Sequence, residues 1–511
     1  EAVLLADLEK MVTAEILVRR RHIDSPVYVF RHVLLRDAAY ETLLERNRQS
    51  LHRRIAEALV QQFPEVADAN PELVAGHYAN AGMVPEAIAQ WLAAAQRGLA
   101  RAANNETIVH ARRALALLPE LHDHRERTRL ELELQSTLAP ALMAIEGWAS
   151  PATGAACSRA LELSHRLGDE TQRFRASWGL WSFQFVGGNL EPAALTAEET
   201  FVLAKSTGQR RFLLAAHHAL GFTQLYRGDL RPAARNGSAG LALFDLEQER
   251  EMARDLQLSP ACSCAYFRAA SQWMMGACEE AEVDLARMFG IAESLSHPPT
   301  TASVMGFALF LHQYQQDVER CRKTASDLFA LASEQGFQNW IAVSFIYGAW
   351  ARAKTDDREG GIRDLRQGIE AFRKIGARLT LVGDYAMLGE ALLLAGKPED
   401  ALAALAEGVV EAESRGEHLA APELHRLRGE ALLQVESQAA EPAFWAAINS
   451  ARAQGAKALS LRAAVRLAEA MGPARQAEAR TLLAEECDAF PHDGSWNELR
   501  RARALLAAWR A

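Results

Sequence analysis

Self-similarity at a fixed period constrains this chain more than any single motif does. From Trp181, equivalent positions fall at Gly221, Ala269, Leu309, Ala349, Gly389 and Gly429, in steps of 40 residues with a single step of 48. Seven residues beyond each stands Gly188, Gly228, Gly276, Gln316, Asp356, Gly396 or Glu436, mostly turn formers. Twelve beyond stands Ala193, Ala233, Ala281, Cys321, Gly361, Ala401 or Glu441, small in six of the seven. A small residue on one helix facing a small residue on the next lets two backbones approach closely, and the residue between them ends the first helix. Each unit therefore reads as a helix–turn–helix pair whose apolar face only its neighbours can cover. The 48-residue step implies an eight-residue insertion. Such a chain is all-α and builds a solenoid, not a set of separate globular cores.

Leu388-Gly389, Gly396-Lys397-Pro398 and Asp400-Ala401-Leu402 show the unit best, with Pro398 suited to a first helical turn. This spacing resembles the tetratricopeptide (TPR) repeat, although 40 residues against the usual 34 or so implies longer helices or loops. HEAT-type pairs match the length but fit the Gly and Ala spacing less well. The expected fold is an all-α, TPR-like helical-repeat superhelix of about 40-residue units. One step back from Trp181 lies Ala141, in a looser unit with a long turn at Gly147–Pro151, and one step past Gly429 lies the neighbourhood of Ala468. Upstream, Tyr78, Gly82 and Ala87 repeat the turn chemistry, but the next helix arrives too soon. The strand signal is confined to residues 14–31. There Ile16-Leu17-Val18 and Val27-Tyr28-Val29-Phe30 flank a turn at Ile23-Asp24-Ser25-Pro26. A helix before a hairpin is how a winged-helix domain ends, so residues 1–31 are expected to be a small winged-helix remnant. Residues 32–120 then form irregular adaptor helices, and residues 121–511 the TPR-like repeats.

Composition narrows the setting. The formal charge is −9, from 56 Lys+Arg against 65 Asp+Glu, with the signs interleaved, so direct contact with nucleic acid is not expected. Six cysteines in 511 residues are too sparse for a disulfide framework and favour a reducing, cytoplasmic setting. No apolar run approaches the roughly 18 residues of a membrane helix, and no signal peptide opens the chain. The first residue is Glu1, not Met, which reads as a piece of a longer protein.

The series Phe30-Arg31-His32-Val33-Leu34-Leu35-Arg36-Asp37-Ala38-Ala39-Tyr40 is followed by Leu51-His52-Arg53-Arg54-Ile55-Ala56-Glu57-Ala58-Leu59. His77-Tyr78, Ala81-Gly82 and Ala87-Ile88-Ala89-Gln90-Trp91 come next. Together they resemble the segment just after the ATPase and winged-helix part of large bacterial signal-transduction (STAND/AAA-type) ATPases. Gly361-Ile362, Leu365-Arg366-Gln367-Gly368, Glu423-Leu424-His425-Arg426-Leu427-Arg428-Gly429-Glu430 and Ala477-Glu478-Ala479-Arg480 resemble their TPR-like tails. The resemblance covers nearly the whole chain. It implies a tail such as is found fused to class III adenylate/guanylate cyclases, or alternatively the sensory tail of an ATP-dependent LuxR/SARP-type transcriptional regulator. The chain itself holds no G-x-x-x-x-G-K-[ST] loop, since position 391 is Ala and position 398 is Pro. ATP is thus expected only in an upstream region, and the chain is expected to be non-catalytic.

Cys262-Ser263-Cys264 with Cys278, His217-His218 and His122-Asp123-His124 lack the spacings of metal sites, so no metal is expected. Asn236-Gly237-Ser238-Ala239-Gly240 lacks the first Gly of a nucleophile elbow. A ligand track remains. First helices of TPR-like pairs tend to line a concave face, and Trp178, His218, Phe222, Tyr266, Phe310 and Trp350 recur there. They would suit a protein, a peptide or a small flat ligand, or the chain's own upstream domains. The same spacing also suits simple packing between helices.

Overall fold

A small residue at each inter-helix contact and a turn former between helices generate the same element over and over. In the computed structural model the regular structure among the described residues is helical apart from one hairpin. The structure describes residues 2–20, 27–355, 357–374, 376–490 and 496–509; the turn expected at Ile23–Pro26, Asp356 and the break at His492–Gly494 lie outside them. The chain divides into two units, Glu1–Ala141 and Leu142–Ala511.

In the first unit, α1 (Ala2–Thr13) precedes an antiparallel hairpin of β1 (Leu17–Arg20) and β2 (Val27–Phe30), registered Leu17 to Phe30 and Arg20 to Val27. Then follow α2 (Val33–Glu41), α3 (Glu45–Gln62), the short α4 (Pro64–Ala69), α5 (Pro71–Asn80), α6 (Val84–Ala100) and α7 (Asn104–Leu117). Helix α8 (His124–Ile145) spans the division between units.

The second unit opens with α9 (Pro151–Leu167). Ser150 caps it by accepting from Thr153 N at 3.1 Å, with Pro151 in the first turn. Pairs follow: α10 (Glu170–Val186) with α11 (Leu190–Thr207), and α12 (Arg210–Tyr226) with α13 (Leu230–Leu241). The inserted residues build an extra helix, α14 (Leu246–Leu256). The pairs resume with α15 (Pro260–Met274) and α16 (Cys278–Leu295), α17 (Pro298–Tyr314) and α18 (Val318–Gln335), and α19 (Gln338–Lys354) and α20 (Arg358–Lys374). Next are α21 (Leu381–Leu394) with α22 (Pro398–Arg415), α23 (Ala421–Val435) with α24 (Ser437–Gln454), and α25 (Lys457–Met471) with α26 (Gln476–Cys487). Helix α27 (Asn497–Ala508) ends the array. The fold is an all-α, TPR-like superhelical solenoid, as the periodicity implies.

The close approach is literal at Gly361, where an added Cβ would stand 2.6 Å from the Ala349 carbonyl oxygen. The turn within a pair is closed by a left-handed residue such as Gly228 or Gly396. A second left-handed series, Gly168, Gly208, Gly336, Gly376 and Gly416, closes the turn between pairs. First helices are buried nearly all round: α15 leaves only Arg268 and Gln272 partly exposed. Second helices keep one solvated face, so the first helices lie inside the superhelix.

The second unit winds until its own laps touch. The carbonyl oxygen of Val186, at the end of α10, accepts from Arg378 N at 3.0 Å and Leu379 N at 3.2 Å. One pair later, at the same sequence offset, that of Tyr226 accepts from His418 N at 3.0 Å and Leu419 N at 3.1 Å. Arg415 Nη1 donates to Gly187 O at 3.2 Å, and Arg462 Nη2 to Tyr314 O at 2.7 Å. Trp273 and Trp496 meet edge to face at 5.6 Å. Helix-terminal carbonyls that a TPR-like pair leaves to water are here satisfied by the following lap.

Candidate functional site

Because first helices face inward, their aromatic residues converge. Trp178 (α10) lies 5.9 Å from His218 (α12), centroid to centroid, and His218 lies 5.0 Å from Phe222. Phe222 lies 5.6 Å from Tyr266 (α15), which lies 5.8 Å from Phe310 (α17). Five of the six residues expected to line a track thus form a continuous chain of rings. The sixth, Trp350 (α19), stands apart from it and donates its indole N–H to Glu390 Oε2 at 2.8 Å. All six are buried, with Phe310 the most accessible at 8%. Burial corrects the expectation of an open concave surface. The laps close on each other before a groove can form, and the rings pack between helices.

The packing leaves polar atoms without partners. Trp178 Nε1, His218 Nδ1 and His312 Nδ1 are buried with no hydrogen-bond partner. Burial accordingly holds the His218 imidazole neutral, down to about 3.

Below the ring chain lies a small chamber between laps. Its walls include Tyr226 (α12), Phe310 and Tyr314 (α17), Tyr347 (α19), Thr380, and Glu417 in the turn after α22. It encloses about 20 Å³, room for one water-sized group. Asp384 (α21) stands behind it; its carboxyl is pushed up to about 8 by burial, with the Thr380 hydroxyl opposing weakly. Burial, reinforced by Asp384, raises Glu417 well above the carboxylate range, and Glu417 Oε2 has no partner. Burial thus shifts both carboxyls toward the protonated form.

Two neighbouring carboxylates behave in the opposite way because cations reach them. Glu390 receives Lys354 Nζ at 2.7 Å and Trp350 Nε1, which outweigh its burial and hold it below its usual range. Glu423 is buried too, yet Arg426 at 2.7 Å and Arg462 at 3.3 Å hold it down to about 2. Arg462 also meets Glu498 at 2.9 Å, and Arg426 meets Glu430 at 2.6 Å. The chamber thus has one side whose carboxylates are paired with cations and one whose carboxyls meet only the hydroxyl and backbone of Thr380. Sequence reasoning missed Asp384 and Glu417, because a lone carboxylate on a helix or in a turn reads as a solvated surface group.

Other candidates resolve as packing. Gly237 and Gly240 lie within α13; a Cβ on Gly237 would stand 2.7 Å from the Cys264 carbonyl, and one on Gly240 would meet Cys264 Sγ. The near-elbow Gly residues thus let α13 approach α15. His217 pairs with Asn236 at 2.8 Å, while His218 faces the rings. Among the described residues, no group of three or more His, Cys, Asp or Glu is placed to hold a metal ion. Among them, no helix is long and apolar enough to cross a membrane. An outer cleft of about 510 Å³ between α9, α10 and α11 carries Glu162, His165, Arg166 and Arg173, with Arg166 already paired to Glu162 at 2.8 Å.

No family model matches the chain. The uncharacterized protein R02095 of Rhizobium meliloti (strain 1021) is 26% identical over 454 residues, covering 88% of this chain and 44% of that protein. The chain therefore spans less than half the length of this curated relative. Among solved structures, the apo form of RapI aligns with a TM-score of 0.44 at 12% identity, over 56% of this chain and 98% of that one. The Rap conjugation gene regulator of plasmid pLS20, in complex with the Phr* peptide, gives 0.44 at 14%, over 60% and 77%. The STAND protein with a tetratricopeptide repeat sensor, PH0952 of Pyrococcus horikoshii, gives 0.35 at 14%, over 73% and 52%.

Proposed function

We propose that this chain is a non-catalytic sensor or scaffold module of a multidomain signalling protein, binding a protein or peptide partner between the laps of its superhelix. The observation that carries the reading is the set of orphaned polar atoms on the inner helices, above all Trp178 Nε1 and His218 Nδ1. A buried polar group without a partner costs about 1–3 kcal/mol. A core selected for stability alone would replace such groups with apolar ones. A peptide backbone brings both donors and acceptors, so its insertion satisfies these atoms as the laps separate. In a solenoid each unit touches mainly its neighbours, so separating laps changes curvature along the array. In this reading the change of curvature is what regulates an upstream ATPase or nucleotide cyclase.

The test is selection of peptides on the full chain, followed by hydrogen exchange on the complexes. Bound peptides are expected to alter protection in α10, α12 and α15, and Trp178→Phe is expected to weaken binding while leaving the free fold intact. Protection changes confined to the solvated faces of the second helices would refute the reading. Unaltered affinity in both Trp178→Ala and Trp350→Ala would also refute it.

A further inference from the structure

We propose that the chamber between laps binds a small primary ammonium ion, with Glu417 as its counter-charge. Three features of the walls converge on this chemistry. Aromatic residues Tyr226, Phe310, Tyr314 and Tyr347 line the space, and aromatic rings attract cations through their quadrupoles. Glu417, 2% exposed, forms part of the wall, and its Oε2 has no partner. The protein cations nearby are all committed elsewhere. Lys354 holds Glu390, while Arg426 and Arg462 hold Glu423. Arg415 directs Nε to Glu411 at 2.6 Å and Nη1 to Gly187 O, and Arg378 also faces Glu411, at 3.6 Å.

The volume limits the occupant. About 20 Å³ admits a water-sized group, which suits ammonium or the head of methylammonium and excludes a quaternary ammonium. Ammonium N–H groups donate to Glu417 and to the Thr380 hydroxyl, and they need no shell of five or six oxygens. The groups facing Glu417 are Asp384 from α21, Glu411 and Arg415 from α22, Tyr226 from α12 and Tyr314 from α17, with Tyr347 and Glu423 also lining the chamber. No free positive charge is among them, so in the unliganded state the carboxyl keeps its proton. Entry is an exchange: the protonated carboxyl and the ammonium ion give a carboxylate–ammonium pair, and one proton leaves to solvent. The occupant ties the turn after α22 to α12 and α19, so it favours the closed laps.

The test uses the full chain with ammonium chloride and methylammonium chloride against potassium chloride and tetramethylammonium chloride at constant ionic strength. It does not depend on the peptide reading, because the probes are small ions. Ammonium and methylammonium are expected to raise the Tm, and potassium and tetramethylammonium are not. Affinity is expected to rise with pH, with a titration heat that varies with buffer as release of a proton requires. A rise with n-butylammonium as well assigns the chamber to the amine end of a longer ligand; its absence assigns it to the free ion. Glu417→Gln, an isostere of the protonated acid, is expected to fold and to lose the ammonium effect, whereas Asp384→Asn keeps it. An equal effect of potassium, no effect in the wild type, or an effect surviving Glu417→Gln would overturn the proposal.

Discussion

Replacing Asp384 with Asn is expected to stabilise the second unit near neutral pH and to reduce the dependence of its stability on pH. Asp384 is 1% exposed, and its carboxyl is raised from an ordinary value near 3.8 to about 8 by burial. Between those values the folded chain binds a proton that the unfolded chain has lost. Stability from this group is therefore full below pH 3.8, falls by about 1.4 kcal/mol per pH unit, and levels off above pH 8. At pH 7 the accumulated loss is about 4 kcal/mol. Asn keeps the size and donor character of the protonated acid and removes that loss. The buried histidines act in the opposite sense. His218, lowered to about 3, contributes stability that is present above its unfolded value of about 6.5 and is lost as pH falls towards 3. The interval from pH 6.5 to 8 therefore isolates the acids. Glu417, raised in the same direction by burial and by Asp384, adds to this slope, so Asp384→Asn should reduce the wild-type slope and Asp384→Asn with Glu417→Gln should reduce it further. Urea denaturation followed by tryptophan fluorescence reads this unit, because nine of the ten tryptophans lie between residues 142 and 511. An unchanged slope in Asp384→Asn, or a variant less stable than wild type at pH 7.5, would refute the reasoning.

Gly361→Ala should destabilise by about 1–3 kcal/mol, because the new Cβ meets the Ala349 backbone. Gly416→Ala, with φ +69° and nothing within 4 Å, should lose only about 1–2 kcal/mol; denaturation midpoints compare the two. Glu423→Ala removes the carboxylate shared by buried Arg426 and Arg462, leaving them Glu430 and Glu498, and should cost about 2–4 kcal/mol, with double replacement of Glu423 and Arg426 by apolar residues costing less. The turn amides of Arg378, Leu379, His418 and Leu419 should exchange slowly and at a common rate, since one separation of laps exposes all four. Four unrelated rates, measured by mass spectrometry, would mean that the laps do not open as one.

The helix pairs are legible in the sequence because each unit meets the same packing problem and answers it with the same spacing. The extra helix α14 is legible only as eight residues too many, since its own period is hidden among charged residues. The glycines at 168 and 208, and again at 336, 376 and 416, carry a second signal at 40-residue steps, interrupted around the inserted helix and at Ser296, and legible once the turn between pairs is sought as well as the turn within them. Closure of the laps is not legible. It depends on a small rotation per pair, summed over several pairs, and no local pattern expresses that sum. The error over the aromatic track follows directly, because His218 and Tyr266 read alike whether the space before them is open or filled. Asp384 and Glu417 escape notice for the same reason: only the folded lap sets them together.

Contact between laps also restricts how such an array can evolve. An open solenoid grows or shrinks by whole units, because each addition alters only its two neighbours. Here Val186 and Tyr226 meet the turns before α21 and before α23 at one shared offset. Gain or loss of a single pair between them would present those carbonyls with the wrong pair of turns, and Arg462 would no longer find Tyr314. Unit number becomes a discrete, conserved quantity, much as blade number is in a closed propeller. Variation in length is then directed outward, into additions such as α14 that leave the count of inner helices unchanged.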